Sequence, residues 1–142
     1  MILVTGGTGF IGQVLIRHLV DRGYQVRILL RPSTHSPNLP RGVAVEAVVC
    51  SLKDERGLRA ALKGVNAVFH LAGAEQSGSG ADLQAVDIDG SRLVSQLSAE
   101  AGVDRLIYLS HLGINLFLPY FRDIIQFGLG IFIIFYFLQY IS

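Results

Sequence analysis

The chain has 142 residues, enough for one ordinary domain and too few for the common kind of two-domain enzyme. Apolar residues make up 51% of it and charged residues 16%, which excludes intrinsic disorder, and a formal net charge of +1 with no dense Lys/Arg block excludes the electrostatic footprint of a nucleic-acid binder. The single cysteine, Cys50, excludes an internal disulfide and a multi-cysteine metal site, and it fits a reducing compartment.

Ile2 to Thr5 is a short apolar run that stops at glycines, which predicts a strand. After it Ile11, Val14, Leu15, His18 and Leu19 recur at helical spacing, so a first helix is predicted with that stripe buried, His18 included, and with Gly23 as its stop. Gln25 to Leu30 reads as a second strand with Val26, Ile28 and Leu30 on one side. The segment from Arg31 to Pro40 is a proline-rich surface loop, and Val43 to Val49 is a third strand. Asp54 is placed to cap a helix carrying Leu58, Ala61 and Leu62, which Gly64 ends. Val65 to Leu71 is a fourth strand, roughly Ala81 to Ala101 a longer helix, and Arg105 to Ser110 a fifth strand. Strands separated by helix-length connections must pair in parallel, with right-handed crossovers. The expected fold is α/β: a Rossmann-type doubly wound parallel sheet of about five strands, incomplete, followed by an apolar C-terminal tail.

That tail is a different material. All the Lys/Arg except Arg122 and all the Asp/Glu except Asp123 precede Ile114, and residues 124–142 carry no formal charge. The expected division is therefore a folded α/β domain over 1–113 and an apolar tail over 114–142. As a helix, Ile124 to Ile141 would span about 27 Å, close to the roughly 30 Å of a bilayer's hydrocarbon layer. Three readings stay open: a transmembrane anchor, the product of a truncation or frameshift, or a helix covering a bare sheet face. The start, MILVTGG, has neither a basic n-region nor a long apolar h-region, so the expected location is cytoplasmic, with the tail as a candidate membrane contact. Oligomeric state is left open.

The chemistry starts where the first strand ends. Thr5-Gly6-Gly7-Thr8-Gly9-Phe10-Ile11-Gly12 follows a strand and opens a helix, the setting in which backbone N–H groups and the positive end of a helix dipole can approach a pyrophosphate. Together with Val26-Arg27-Ile28-Leu29-Leu30-Arg31 and Ala67-Val68-Phe69-His70-Leu71-Ala72-Gly73, this resembles the N-terminal half of the short-chain dehydrogenase/reductase superfamily. The extended and atypical branches are nearest: NAD-dependent epimerase/dehydratase proteins, NmrA-like proteins, and relatives of the Rossmann accessory subunit of respiratory complex I. The resemblance covers Met1 to about Gly113. It implies that Gly6, Gly9, Phe10, Ile11 and Gly12 line the pyrophosphate of NADP or NAD, and that Leu71, Ala72 and Gly73 lie on the adenosine side. Val86-Asp87-Ile88-Asp89-Gly90 is similar to the VNVxGT segment of these proteins, and Tyr108-Leu109-Ser110-His111 to the strand leading into their catalytic serine region.

Two positions depart from the NAD-type pattern. Where a carboxylate would take the ribose hydroxyls, the chain has Leu30 and then Arg31, whose guanidinium suits a 2′-phosphate and so leans to NADP. Where the superfamily usually has Gly-Asp-Leu against adenine, Cys50-Ser51-Leu52 leaves Ser51 one hydrogen bond to offer. The Tyr-x-x-x-Lys pair of short-chain dehydrogenases, in which lysine lowers the phenol's pKa, is absent, since the only lysines are Lys53 and Lys63. His70 and His111 are expected at strand ends facing the ligand crevice, available for acid/base work or for packing. No metal site is expected, and no catalytic residue is assigned. Two functions follow: the dinucleotide-binding half of an oxidoreductase or epimerase-type enzyme, or a nucleotide-binding regulatory or structural subunit without turnover, docked on a membrane complex.

Overall fold

The computed structural model describes residues 1–73, 88–111 and 130–136. Six parallel strands form one sheet: β1 (Ile2–Thr5), β2 (Val26–Leu30), β3 (Glu46–Val49), β4 (Ala67–His70), β5 (Arg105–His111) and β6 (Gly130–Tyr136), in the order β3-β2-β1-β4-β5-β6. Three helices are described: α1 (Phe10–Asp21), α2 (Glu55–Ala61) and α3 (Ser91–Glu100). The predicted Rossmann-type doubly wound sheet is therefore observed, with the strand order of that fold.

β1 sits between β2 and β4, and all four of its residues are buried. Alternate side chains leave a strand on opposite faces, so β1 feeds both layers. Ile2 and Val4 join Ile16, Leu19, Val26, Ile28 and Leu30 under α1. Leu3 joins Leu29, Leu58, Leu62, Val68, Val94, Leu97 and Leu106 under α2 and α3. A strand covered on both faces has no polar side to show, and this is why these strands read as continuous apolar runs.

The caps and stops follow the sequence. Asp54 is the N-cap of α2, its Oδ1 accepting the Gly57 N–H at 3.0 Å. Gly23 and Gly64 take positive φ just beyond α1 and α2, where a side chain would be strained. β3 begins at Glu46 rather than Val43 because it is an edge strand whose pairing with β2 starts at Arg27↔Glu46. Arg27 ends that pairing region chemically: its Nη1 donates to the carbonyls of Ala61 and Lys63, and its guanidinium pairs with Glu46 at 3.0 Å, fastening β2 to the end of α2. Of the helix predicted from Ala81 to Ala101, residues 81–87 lie outside the described ones, and α3 covers Ser91–Glu100.

Two expectations are corrected. The buried face of α1 is Gly12, Ile16 and Leu19, with Leu15 and Val20 partly buried, whereas Ile11, Val14 and His18 are exposed. The helix is rotated from the apolar stripe because Gly12, having no side chain, lies directly on the glycine turn. A Cβ there would come 2.4 Å from the Gly6 carbonyl oxygen and 2.7 Å from Gly7 Cα. Gly12→Ala should thus destabilise the chain by about 3 kcal/mol, at the upper end of overpacking effects because backbone rather than a movable side chain is hit. A urea-unfolding midpoint equal to wild type would show that α1 can shift away.

The second correction concerns the tail. Residues 130–136 are a strand, not part of a helix, and they extend the sheet from about five strands to six, in register with β5 from Arg105↔Gly130 to His111↔Tyr136. Ile131 to Tyr136 are all β-branched or aromatic, residues that favour extended backbone, and an unbroken apolar run carries no period by which helix and strand can be told apart. Among the described residues no helix is long and apolar enough to cross a membrane.

Candidate functional site

In a parallel sheet every C-terminal strand end faces the same edge, and ligands bind where the chain order reverses. Here the reversal lies between β1 and β4. The turn after β1 carries Gly6 and Gly9, and the start of α1 carries Phe10, Ile11 and Gly12. Arg31 follows β2, Ser51 lies just past β3, and Leu71, Ala72 and Gly73 follow β4. All ten residues singled out from the sequence are thus at one edge of the sheet.

The glycines of the turn have unequal work. Gly6 has φ +70°, and a Cβ on it would meet the Leu71 carbonyl carbon at 2.6 Å and the Ala72 nitrogen at 2.7 Å, so the turn is pressed against the chain leaving β4. A Cβ on Gly7 would strike Ile16 and Ile28 in the core. Gly12 seats α1, as described. Gly9 alone faces open space: a Cβ there would find only the Gly6 carbonyl oxygen, at 3.4 Å.

Gly9 is also the N-cap of α1, with no side-chain cap and no acidic residue in the first helical turn. Its N–H donates to the Gly6 carbonyl, and the first helical bond runs from the Gln13 N–H to the Gly9 carbonyl at 3.0 Å. The N–H groups of the opening turn therefore have no carbonyl one turn back, and the helix's own first turn sets no acidic side chain against its positive end. The Gln13 side-chain amide donates to the Thr8 carbonyl at 3.0 Å and holds the loop in shape. Phe10, next to Gly9 in the chain, is 87% exposed. An open cradle at Gly9 over an uncapped helix terminus suits a dianionic pyrophosphate, so the residues present fit a dinucleotide.

Arg31 is exposed at the end of β2, whereas Arg27 is committed to α2 and Glu46 and is unavailable to a ligand. The Ser51 hydroxyl oxygen accepts the Lys53 N–H at 3.2 Å, which leaves its proton to donate. Cys50 is buried, with its thiol pushed above the ordinary range by burial and then by the nearby Asp54 charge, which disfavours the thiolate. Among the described residues no group of three His, Cys, Asp or Glu side chains could hold a metal ion.

His70 does not face the crevice, contrary to expectation. It is 1% exposed, and burial lowers its pKa to about 4, so the ring is neutral. Its Nδ1 lies 2.6 Å from Thr5 Oγ1, its Nε2 lies 2.9 Å from Ser91 Oγ, and its ring stacks on Tyr108 at 5.5 Å. Thr5 in turn accepts the Leu71 N–H on its carbonyl at 3.1 Å and the Ala72 N–H on its hydroxyl at 3.3 Å. The sequence reading missed Thr5 and Ser91. A threonine at the buried end of a strand, needing a hydrogen-bond partner, was the available signal. The side chains of Ser110 and His111 lie outside the described ones.

The family model for NAD(P)H-binding proteins matches residues 6–127, from the glycine turn onward. The chain belongs to that family. It is 37% identical over 113 residues to a protein named sterol demethylase protein B from Methylococcus capsulatus, covering 78% of this chain and 34% of that protein. It is 38% identical over 110 residues to a putative dihydroflavonol 4-reductase from Synechocystis, covering 75% of this chain and 31% of that one. A short-chain dehydrogenase/reductase superfamily protein from Agrobacterium tumefaciens, solved with bound NAD, superposes with a TM-score of 0.74 at 29% identity, over 94% of this chain and 48% of the other. The resemblance to the short-chain dehydrogenase/reductase and epimerase/dehydratase proteins is borne out, as is an NAD(P)-binding domain. The chain spans about a third of the length of the curated relatives it matches.

Proposed function

We propose that this chain is the dinucleotide-binding part of a reductase- or dehydrogenase-type protein, that it prefers NADP, and that it supplies no Tyr/Lys acid–base pair of its own. The pyrophosphate lies over Gly6, Gly9, Phe10, Ile11 and Gly12, and the adenosine side runs along Leu71, Ala72 and Gly73, with Ser51 donating to the base. Residues 1–113 form the binding domain. The observation that carries this reading is the open space at Gly9: it is the one glycine of the turn that the fold itself does not require, so its missing side chain is explained by a ligand. With the N–H groups of Leu71 and Ala72 already given to Thr5, these two residues present carbonyl oxygens and apolar surface. The reductases among the relatives support the class of chemistry for the longer protein.

Arg31 sets the cofactor preference. A charge-assisted hydrogen bond to a 2′-phosphate contributes about 1.5–3 kcal/mol, less where water screens an exposed side chain, so NADP should bind about ten- to a hundredfold tighter than NAD. Arg31→Asp removes that partner, repels the phosphate and offers an acceptor to the ribose 2′-hydroxyl, so the preference should invert. Calorimetric titration of both proteins with NADP and NAD reads the ratio. Equal affinities in the wild type, unchanged in the variant and by salt, would make Arg31 a solvated loop residue.

A further inference from the structure

We infer that His70 is a positioning residue for dinucleotide binding, acting through the Thr5 hydroxyl on the peptide that backs the glycine turn. In the arrangement inferred, the ring accepts at Nδ1 and donates at Nε2. The Thr5 hydroxyl has one proton and two lone pairs, and it has two close neighbours, His70 Nδ1 at 2.6 Å and the Ala72 N–H at 3.3 Å. The Ala72 amide can only donate. If Thr5 gives its proton to Nδ1, its lone pair is free for Ala72, and Nε2–H donates to Ser91 Oγ at 2.9 Å. If Nδ1 carried the hydrogen, two donors would converge on Thr5 and its own proton would need a third partner. In this tautomer the imidazole is an acceptor that turns the Thr5 hydroxyl in one direction, and Tyr108 stacks against its ring.

The effect reaches the ligand edge because there is no slack between the parts. Thr5 holds the residues after β4 by two bonds, its carbonyl to the Leu71 N–H and its hydroxyl to the Ala72 N–H. The Leu71–Ala72 peptide is so close to Gly6 that a methyl group would not fit between them. The Gly6 carbonyl receives the Gly9 N–H and is the atom nearest to where a Gly9 side chain would be. A change in the direction of the Thr5 hydroxyl thus moves the peptide against Gly6, and Gly6 moves the cradle.

The inference rests on the proposal that the glycine turn holds the dinucleotide, and two variants of one position test it. In His70→Asn the amide oxygen takes the place of Nδ1 and still accepts from Thr5. In His70→Gln the polar end sits where Nε2 was, near Ser91, and Thr5 has no acceptor. Both lose the ring and its contact with Tyr108, so a merely structural histidine predicts lower thermal midpoints with equal dissociation constants. Positioning predicts that His70→Gln binds NADP and NAD about tenfold more weakly than wild type while His70→Asn stays within about threefold, the scale of one hydrogen bond. Equal constants in the two variants, or the reverse order, overturn the inference. If either fails to fold, Thr5→Ser and Thr5→Val carry the same decision: Ser keeps the hydroxyl and should keep affinity, Val should lose about tenfold, and equal affinities overturn the inference. A wild-type chain that binds neither dinucleotide overturns the glycine-turn reading instead, which is a separate result.

Discussion

Replacing Gly9 with valine is expected to weaken dinucleotide binding by about a hundredfold or more in a chain that stays folded. The fold tolerates the change because a Cβ at this position meets only one atom, at an ordinary contact distance, and because Gly9 has φ −75° and ψ 168°, extended backbone in which β-branched residues are at ease. Valine is a poor N-cap, so a loss of about 1 kcal/mol in stability is the expected side effect. The ligand does not tolerate it. Its phosphates must come within hydrogen-bonding distance of the backbone at the start of α1, and two branching methyl groups stand in that space. Losing two charge-assisted hydrogen bonds of about 1.5–3 kcal/mol each accounts for the hundredfold. Calorimetry with NADP and NAD, alongside circular dichroism of the variant, separates the two effects. Unchanged affinity in a folded Gly9→Val chain would remove the pyrophosphate from this turn.

Acid should unfold this protein through one buried ring. His70 is held neutral in the folded chain with a pKa near 4, against about 6.5 when exposed, so between those values the unfolded chain binds the extra proton and the folded chain does not. Stability therefore rises with pH across that window: it is fully present above about 6.5 and is lost as pH falls toward 4. The shift corresponds to about 3 kcal/mol, a large share of a small domain's total. Urea midpoints measured from pH 7.5 down to 4.5 should fall steadily in the wild type and less steeply in His70→Asn, which cannot titrate there. Parallel slopes in the two proteins would assign the acid sensitivity to carboxylates instead.

How much of this was legible in the sequence depends on which face of an element a residue occupies. β1, β2 and β4 were found because Ile2 to Thr5, Gln25 to Leu30 and Val65 to Leu71 are apolar runs bounded by turn residues, and Asp54 announced its helix by being a cap. The edge where Gly6, Arg31, Ser51 and Ala72 meet could be reasoned from parallel pairing alone. The rotation of α1 could not: Ile11 and Val14 are as apolar as Ile16, and only the contact of Gly12 with the turn decides which side goes inward. The strand at 130–136 was not foreseen, and the tail's readings were left open, because its residues are uniformly apolar and carry no period. His70 was placed at the crevice because a strand-end residue has two directions to point. The direction was decided by Thr5 and Ser91, which lie 65 and 21 residues away in sequence and are brought together only by the sheet and α3.

The unequal work of the turn's glycines bears on what such a motif records over evolutionary time. Suppose a lineage ceased to need the dinucleotide. Gly6, Gly7 and Gly12 would still be kept by selection for folding, because each abuts backbone or core atoms that leave no room for a methyl group. Gly9 would be free to drift. A descendant that had lost its ligand would still display most of the glycine signature for as long as it stayed folded, so the survival of three glycines testifies to the architecture and only the fourth to continued use. In this chain the fourth is present.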